Sequence, residues 1–469
     1  MVAACGGAPP TPGVGAQSRA VVSPPGDAST VILVSIDTLR PDRLGCYGNR
    51  QPTSPSIDRF AGESVLFTEA IAQAPSTLPS HATMFTSLLP AHHGAFFSRR
   101  TPLPASIPTL ATELQAAGYR TAAFTGGGQL APEFGLDRGF GTYGVNVGGS
   151  DFSSAVRAGL GWLEEDPGHP AFLFLHTYEV HHPFTPKPEL LAVFDDGYDG
   201  ELPAEISKDL LTQVNTDETV ITDRDLAHIV AAYDAEIRSV DDAFGIFLIG
   251  LGELGLLEDS IVIFTSDHGE EFGEHGVVGW HSHTLYDELL RVPLMIRFPG
   301  GRQGGLTIDR QVRLLDLAPT VLAAVGVAAP LAFEGVDLAR VIGGLATPLP
   351  ALSQLDLPLG EVEISLRTKR WKLYPRRAFA GDPFVDAPPP VALRVRNLIK
   401  RWRRPFALFD LQTDPGEHRD VVDGHPQVAG SLSRTMRVMA GARPHPAPEP
   451  TVIIDVATEE RLRALGYVD

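Results

Sequence analysis

One stretch near the start of the chain decides the fold: Val31-Ile32-Leu33-Val34-Ser35-Ile36-Asp37. It is a short, nearly continuous apolar run, which is the pattern of a strand buried on both faces of a parallel sheet. Similar runs occur at 171–175 and 261–264. Each run is followed by side chains that can bind metal, so we predict three buried strands that bring such side chains together.

Helical patterns lie between these runs. They cover 106–117, 152–165 and a long segment from Thr222 to about Gly252. The alternation of strand and helix predicts an α/β fold with a doubly wound, mostly parallel sheet. Such sheets bind ligands outside the carboxyl ends of their strands, which is where Asp37 and residues 267–268 fall.

The chain is long, acidic and poor in cysteine. Its 469 residues exceed one ordinary domain, and 43% hydrophobic with 20% charged residues is the composition of a folded globular protein. With 38 basic and 57 acidic residues, the formal net charge is −19, which argues against a nucleic-acid partner. An anionic substrate would therefore need positive charge from metal ions or from a few placed Arg, Lys and His side chains.

We predict three parts along the chain. Residues 1–29 form a flexible spacer rich in Pro, Gly and Ala, residues 30–350 a catalytic domain, and residues 351–469 a smaller α+β domain. The basic, aromatic segment 369–374 is interpreted as a strand with solvated Lys and Arg side chains. No apolar stretch in the sequence is long enough for a transmembrane helix.

The spacer contains a candidate lipid-attachment site. Small residues precede Cys5 and a flexible polar spacer follows it, as at the end of a bacterial lipoprotein signal. The alternative is a plain disordered N-terminus. We expect a periplasmic or cell-surface protein, attached to the membrane if Cys5 is lipidated, and we predict no protein partner.

Asp37, Asp267 and His268 are the firmest candidates for a metal site. Carboxylate and imidazole groups suit divalent cations such as Zn²⁺, Mn²⁺, Mg²⁺ or Ca²⁺. An isolated Asp-His-Gly is weak evidence, because Asp and Gly are also common in turns. Its placement at the same sheet edge as Asp37 is what makes the set a candidate, and we expect one cation there.

A loop rich in hydroxyl groups, residues 74–88, leads into a helical stretch. The N-terminus of a helix attracts anions, so a hydroxyl there lies close to a bound phosphate or sulfate group. Coordination to a divalent cation would stabilise its alkoxide without a histidine base. The alternative is that Ser76 or Thr77 only caps the helix.

Taken together, the motifs resemble the sulfatase family of the alkaline phosphatase superfamily. The resemblance implies an alkaline-phosphatase-like fold and hydrolysis of phosphoric or sulfuric esters. Thr265-Ser266-Asp267-His268-Gly269-Glu270-Glu271 matches the family closely. The other matching segments are 36–48, 76–81, 89–94, 178–184, 281–293, 408–417 and 462–467.

The sequence departs from the sulfatases at the nucleophile. Sulfatases oxidise Cys, or sometimes Ser, at the start of a Cys-x-Pro-Ser-Arg motif to formylglycine. In that register this chain has Thr77 in place of Cys and His81 in place of Arg, and neither Ser76 nor Cys46 is in register. Phosphodiesterase and phosphatase relatives use a metal-bound Thr or Ser directly, and the resemblance implies this role for Thr77.

The resemblance also implies roles for the other candidates. One metal site would consist of Asp37, Thr77, Asp267 and His268. Either His181 or His283 would hold the anion and protonate the leaving group. Substrate contacts are expected from Arg40, His81, His182 and His281. A second cation is left open, with ligands drawn from Glu179, His181, His182, His281 and His283.

Three functions remain open from the sequence. The first is a phosphate- or phosphonate-ester hydrolase with Thr77 as nucleophile. The second is a sulfatase that works without formylglycine, supported by overall similarity and opposed by the missing Cys and Arg. The third is an inactive anion-binding surface protein, which is disfavoured because a dead site has no need for a costly cluster of like charges.

Overall fold

The computed structural model describes residues 30–147, 151–195, 197–357, 362–376, 405–441, 451–465 and 467–468. Cys5 and the whole spacer 1–29 lie outside these ranges, so the lipid-attachment hypothesis stays a prediction. Within the described ranges, no helix is both long and apolar enough to cross a membrane.

The described strands are numbered in chain order. They are β1 (Thr30–Ile36), β2 (Val65–Ile71), β3 (Arg120–Phe124), β4 (Thr142–Gly144), β5 (Ala171–Thr177), β6 (Ser260–Thr265), β7 (Glu271–Phe272), β8 (Val278–Trp280), β9 (Arg291–Arg297), β10 (Thr307–Ile308), β11 (Val312–Arg313), β12 (Ala351–Asp356), β13 (Val362–Arg367), β14 (Trp371–Pro375) and β15 (Phe406–Asp410).

The described helices are numbered in the same way. The α-helices are α1 (Pro55–Gly62), α2 (Thr77–Thr86), α3 (Pro90–His93), α4 (Leu110–Ala116), α5 (Phe152–Glu164), α6 (Pro188–Phe194), α7 (Lys208–Asn215), α8 (Asp223–Glu253), α9 (Asp287–Leu290), α10 (Leu317–Ala324), α11 (Leu338–Ile342), α12 (Pro426–Ala440) and α13 (Val456–Ala464). Short 3-10 helices cover Pro41–Arg43, Gly45–Tyr47, Gly128–Leu130, Pro132–Phe134, Pro299–Gly301 and Leu314–Asp316.

The central sheet is mixed and mostly parallel. Its order is β10-β2-β9-β6-β1-β5-β3-β4, with β11 also beside β2. Strand β1 lies between β5 and β6 and is parallel to both, whereas β9 is antiparallel to β6 and β2. The predicted α/β class with a doubly wound, mostly parallel sheet is confirmed.

Strand β1 is apolar throughout because both of its faces are covered. Val31 and Leu33 belong to the core on the side of α2, α4 and α10. Ile32 and Val34, the alternate residues, belong to the core on the side of α1, α5 and α8. This alternation between two cores is why the run reads as continuously hydrophobic.

The predicted helices form with one shifted boundary. Helix α8 begins after Thr222, whose side chain caps it by accepting a hydrogen bond from the Asp225 backbone N–H. Helix α4 begins at Leu110 and not near residue 106, because Thr109 is its N-cap. Pro108 also disfavours a helical conformation in the residue before it.

A smaller antiparallel sheet follows the central one. Its strands are ordered β12-β13-β14-β15, and helix α12 covers one face. The prediction of a smaller α+β region after residue 350 agrees with these elements. The prediction for segment 369–374 is wrong in one respect. Lys372 in β14 is fully buried and bonded to Asp287 and Glu417, because this strand faces the catalytic domain and not solvent.

Candidate metal-centred active site

Three predicted metal ligands meet at the carboxyl ends of two neighbouring strands. Asp37 directly follows β1, and Asp267 and His268 come shortly after β6, which pairs with β1 in parallel. Their ligand atoms lie within 4.8 Å of one another, and all three residues are buried. The structure therefore brings this set together as the strand order predicts.

The unpaired atoms of this cluster fit a divalent cation. Asp37 Oδ1, both carboxylate oxygens of Asp267 and His268 Nε2 are buried without a hydrogen-bond partner. Leaving such groups unpaired in the interior is costly, and burial raises the pKa of Asp37 to about 6. Two carboxylates and one imidazole form a ligand set that Zn²⁺, Mn²⁺ or a related cation accepts.

Thr77 lies directly beside this cluster. It is the first residue of α2, and its Oγ1 is 3.2 Å from Asp37 Oδ2, to which it donates a hydrogen bond. Ser76 occupies the N-cap position but makes no side-chain capping hydrogen bond. Capping therefore does not account for the hydroxyls of this segment, and the Thr77 hydroxyl lies where a nucleophile would be needed.

His81 lies one turn further along α2, behind the cluster. Its Nδ1 is 2.9 Å from the Thr77 backbone oxygen, and its Nε2 is 3.0 Å from Ser35 Oγ. Burial lowers the pKa of His81 to about 4, so the ring is neutral at ordinary pH. Both ring nitrogens are engaged away from a substrate, which favours a positioning role over the predicted substrate contact.

A second cluster adjoins the first. His181, His182 and His281 are buried, and ligand nitrogens of the three lie within 4.8 Å of one another. Neither ring nitrogen of His182 has a hydrogen-bond partner. The rings of His268 and His281 have centroids 4.6 Å apart, so the two clusters form one continuous site.

Glu270 supports the second cluster from one side. Its Oε1 is 3.2 Å from His281 Nδ1, and its Oε2 is 3.7 Å from His182 Nδ1. Burial alone would raise the pKa of this carboxyl, but the nearby histidines, His281 foremost, hold it at about 2. Glu270 thus stays ionised and orients the imidazole rings, as carboxylates next to metal-binding histidines commonly do.

Three predicted residues do not join either cluster. Arg40 donates to the carboxylates of Asp42 and Glu274 and to the Glu270 backbone oxygen. His283 is paired with Glu271, and its Nδ1 bonds to the His281 backbone oxygen. Glu179 accepts a hydrogen bond from the backbone of the first residue of α5.

Three residues at the site were not among the predicted site residues. His176, at the end of β5, has its Nε2 3.2 Å from Asp37 Oδ2, and its position after an apolar run was a usable signal. Glu270 follows the Asp-His-Gly and was equally visible. Tyr467 is different. Its hydroxyl is 3.1 Å from Thr77 Oγ1, but the two residues are 390 positions apart, so no local sequence pattern predicts this contact.

A cavity of about 360 Å³ opens beside the second cluster. His181 and His182 form part of its wall, and Lys187, Glu236 and Arg461 contribute charged groups.

Comparison with known proteins gives a consistent result. The sequence model of the family described as Sulfatase matches residues 29–327. An arylsulfatase of Clostridium perfringens is 26% identical over 383 residues, which cover 66% of this chain and 78% of that protein.

Solved structures share the fold across most of the chain. A phosphonate monoester hydrolase of Agrobacterium radiobacter superposes with a TM-score of 0.68 at 20% identity, covering 88% of this chain and 95% of the other. A protein solved with its substrate D-glucosamine-2-N,6-O-disulfate gives a TM-score of 0.69 at 19% identity, covering 90% and 99% respectively. Both likenesses concern the fold.

Proposed function

The chain belongs to the sulfatase family, and on that premise we propose that it hydrolyses phosphate or phosphonate esters with Thr77 as nucleophile. The observation that carries this proposal is the position of Thr77 Oγ1, 3.2 Å from Asp37 Oδ2 at the start of α2. Members of this family hydrolyse sulfuric or phosphoric esters and depend on metal. A threonine cannot become formylglycine, so a direct attack by its hydroxyl is the chemistry that remains.

The residues of the first cluster prepare the nucleophile. Asp37, Asp267 and His268 would hold one divalent cation, and Asp37 also orients the Thr77 hydroxyl through its hydrogen bond. His81 fixes the backbone of Thr77 from behind. In the proposed reaction Thr77 Oγ1 gives its proton to Asp37 Oδ2 and bonds to phosphorus. The bond to the leaving oxygen breaks, that oxygen takes a proton from solvent, and water then hydrolyses the phosphothreonine.

The second cluster is best explained as a second cation site. His181 Nδ1 bonds to the His182 carbonyl oxygen, which can only accept, so Nδ1 carries the proton and the lone pair is on Nε2, which lies 2.9 Å from the Tyr467 hydroxyl. That arrangement suits a metal ligand better than the predicted general acid. Cations bound at the two clusters would stabilise the Thr77 alkoxide and neutralise the charge of the ester oxygens.

Sulfate-ester hydrolysis is the second candidate function. It is favoured by the family match and by the arylsulfatase among the relatives. It is opposed by the residues at 77 and 81, which lack the Cys and Arg of the sulfatase motif. The third candidate, an inactive anion-binding surface protein, is opposed by the unpaired ligand atoms, which destabilise the fold unless they bind a cation.

The test is a substrate panel with a matched variant. The protein is assayed on an aryl sulfate, an aryl phosphate monoester, an aryl phosphodiester and an aryl phosphonate monoester, with chelator and with each added cation. Thr77→Ala should lower kcat by at least about 10³-fold, because the nucleophile is lost. Thr86→Ala, which removes a buried hydroxyl from the far end of the same helix, should leave kcat nearly unchanged.

The outcomes separate the candidate functions. Turnover of the phosphorus esters that chelator abolishes supports the proposal. Turnover of the aryl sulfate alone would favour the second candidate, and full activity of Thr77→Ala on every ester would refute the role of Thr77. If metal-loaded protein hydrolyses none of these esters, the third candidate, an inactive anion-binding protein, is favoured.

We also propose that the protein lies in the periplasm or on the cell surface, attached through a lipid on Cys5. The support is the small-residue context of Cys5 and the spacer that follows it. Expression of the natural gene with a radiolabelled fatty acid tests this. Label in the wild type that Cys5→Ala loses is expected, and an unlabelled wild-type protein would contradict the proposal.

A further inference from the structure

The end of the chain returns to the active site. Helix α13 docks beside the loop that follows β3, where Arg461 Nε donates to the Gly126 backbone oxygen. Leu462 and Leu465 are buried at this contact. Beyond the helix, the backbone N–H of Tyr467 donates to the Leu462 oxygen at 2.9 Å, which directs the tyrosine toward the site.

The Tyr467 hydroxyl lies at the meeting point of the two clusters. It is 3.1 Å from Thr77 Oγ1, 2.9 Å from His181 Nε2 and 3.3 Å from His281 Nε2. The ring is held against Phe97, with centroids 5.5 Å apart. Its hydroxyl thus touches the reacting oxygen of the proposed nucleophile and both histidines that face it.

The hydrogen-bond pattern leaves this hydroxyl as a donor. The Thr77 hydroxyl donates to Asp37, so in its contact with Thr77 Oγ1 the Tyr467 hydroxyl can only be the donor. A phenol has a pKa of about 10, so it keeps its proton at neutral pH. The position that carries Arg in the sulfatase motif is His81, whose nitrogens contact the Thr77 backbone oxygen and Ser35 Oγ, so His81 does not supply a donor to the ester oxygens.

We propose that Tyr467 is a catalytic residue that donates a hydrogen bond to a nonbridging oxygen of the ester group attacked by Thr77. This inference rests on the proposed reaction at Thr77. The tyrosine keeps its proton throughout, so no bond to it forms or breaks. The negative charge on the ester oxygens is redistributed in the transition state. A fixed donor beside Thr77 therefore stabilises the transition state more than the ground state.

The test compares two hydroxyl deletions. Tyr467→Phe keeps the ring on Phe97 but removes the donor, and Tyr143→Phe removes a hydroxyl that donates to the Leu130 backbone oxygen. On whichever ester the wild type hydrolyses, Tyr467→Phe should lower kcat by about 10²-fold with little change in KM. Tyr143→Phe should stay within about threefold of the wild type in kcat.

Readouts other than turnover exclude a structural role. Metal content, Tm and the affinity for vanadate, a mimic of the transition state, are measured on all three proteins. Tyr467→Phe should keep its metal and its Tm while vanadate binds about tenfold or more weakly. Unchanged kcat, or a loss of kcat that follows lost metal or a lowered Tm, would overturn the proposal.

The two proposals can fail separately. If Thr77→Ala stays active while Tyr467→Phe loses kcat, the nucleophile assignment is wrong but the donor assignment stands. If Thr77→Ala is inactive and Tyr467→Phe is fully active, the reaction stands and the tyrosine is not a catalytic residue.

Discussion

At residue scale, Thr38 directly follows Asp37 and adds no carboxylate to the first cluster. Here Thr38 has a φ of 58°, and its hydroxyl donates to the Val180 backbone oxygen at 3.0 Å. The same hydroxyl lies 2.8 Å from the Asp37 backbone oxygen, so this side chain is bonded to the backbone and not to the ligand atoms of the first cluster.

The second cluster leads to a prediction about metal content. His182→Ala should lower the bound metal from about two ions per chain to about one, because it removes a buried ligand whose nitrogens have no other hydrogen-bond partner. Elemental analysis of dialysed protein measures this directly. His169→Ala, which removes an exposed histidine, is the control and should keep both ions. A wild-type protein with one ion, or a variant that keeps two, would contradict the second site.

At the scale of elements, the loop after β6 depends on a close approach at Gly269. Its backbone N–H donates to Leu289 in α9, and a Cβ at this position would lie 2.0 Å from the Glu288 backbone oxygen. The loop can pack on α9 only without a side chain there. Because Asp267 and His268 belong to the same loop, this packing sets the position of two ligands.

Gly269→Ala should therefore weaken metal binding and the fold together. Overpacking of this kind costs roughly 1–3 kcal/mol, so the midpoint of urea unfolding should fall and the dissociation constant for the first cation should rise. Gly161→Ala in α5 is the control, since nothing lies within 4 Å of its added Cβ. Calorimetric titration with Zn²⁺ and urea melts measure both quantities, and an unchanged affinity in Gly269→Ala would show that the loop tolerates the shift.

The sequence predicts the elements that carry local patterns. The apolar run before Asp37 and the Asp267-His268 pair predict that these side chains share one sheet edge, because parallel neighbouring strands end at one edge, and the structure brings them together there. The sequence could not predict which histidines face the site. The orientations of His81 and His283 depend on partners such as Ser35 and Glu271. Such partners are set by tertiary packing and not by spacing along the chain.

At the scale of the whole molecule, buried ion pairs join the smaller sheet to the catalytic domain. Asp287 in α9 accepts hydrogen bonds from Arg367 in β13 and Lys372 in β14, at 2.9 and 2.8 Å. Burial alone would raise the pKa of Asp287, but Arg367 and Lys372 hold it well below its usual range. The sequence could not show this contact, because Asp287 lies 80 and 85 residues before its two partners along the chain.

This contact makes stability depend on pH in a defined direction. Because the folded pKa of Asp287 is depressed, its contribution is present above the unfolded pKa of about 4 and is lost as pH falls below that value. Asp287→Asn should cost roughly 3–5 kcal/mol at pH about 7, and the difference from wild type should shrink by pH about 3.5. Urea melts of chelator-treated proteins at both values measure it.

The control for this prediction is an exposed pair in the same region. Lys369 and Asp309 are bonded at the surface, so Lys369→Ala should leave stability almost unchanged at either pH. A cost for Asp287→Asn that does not vary with pH would mean that the ionised carboxylate is not what stabilises the contact.

The central claim, that Thr77 forms a covalent bond to the substrate, is tested most directly by trapping the intermediate. Metal-loaded protein is mixed with the best phosphorus ester, quenched in acid within milliseconds, digested and examined by mass spectrometry. The account predicts one added phosphoryl or phosphonyl group on the peptide from α2, located at Thr77 and absent from Thr77→Ala. An adduct on another residue would contradict this claim. So would hydrolysis that shows no initial burst and leaves Thr77 unmodified at every quench time.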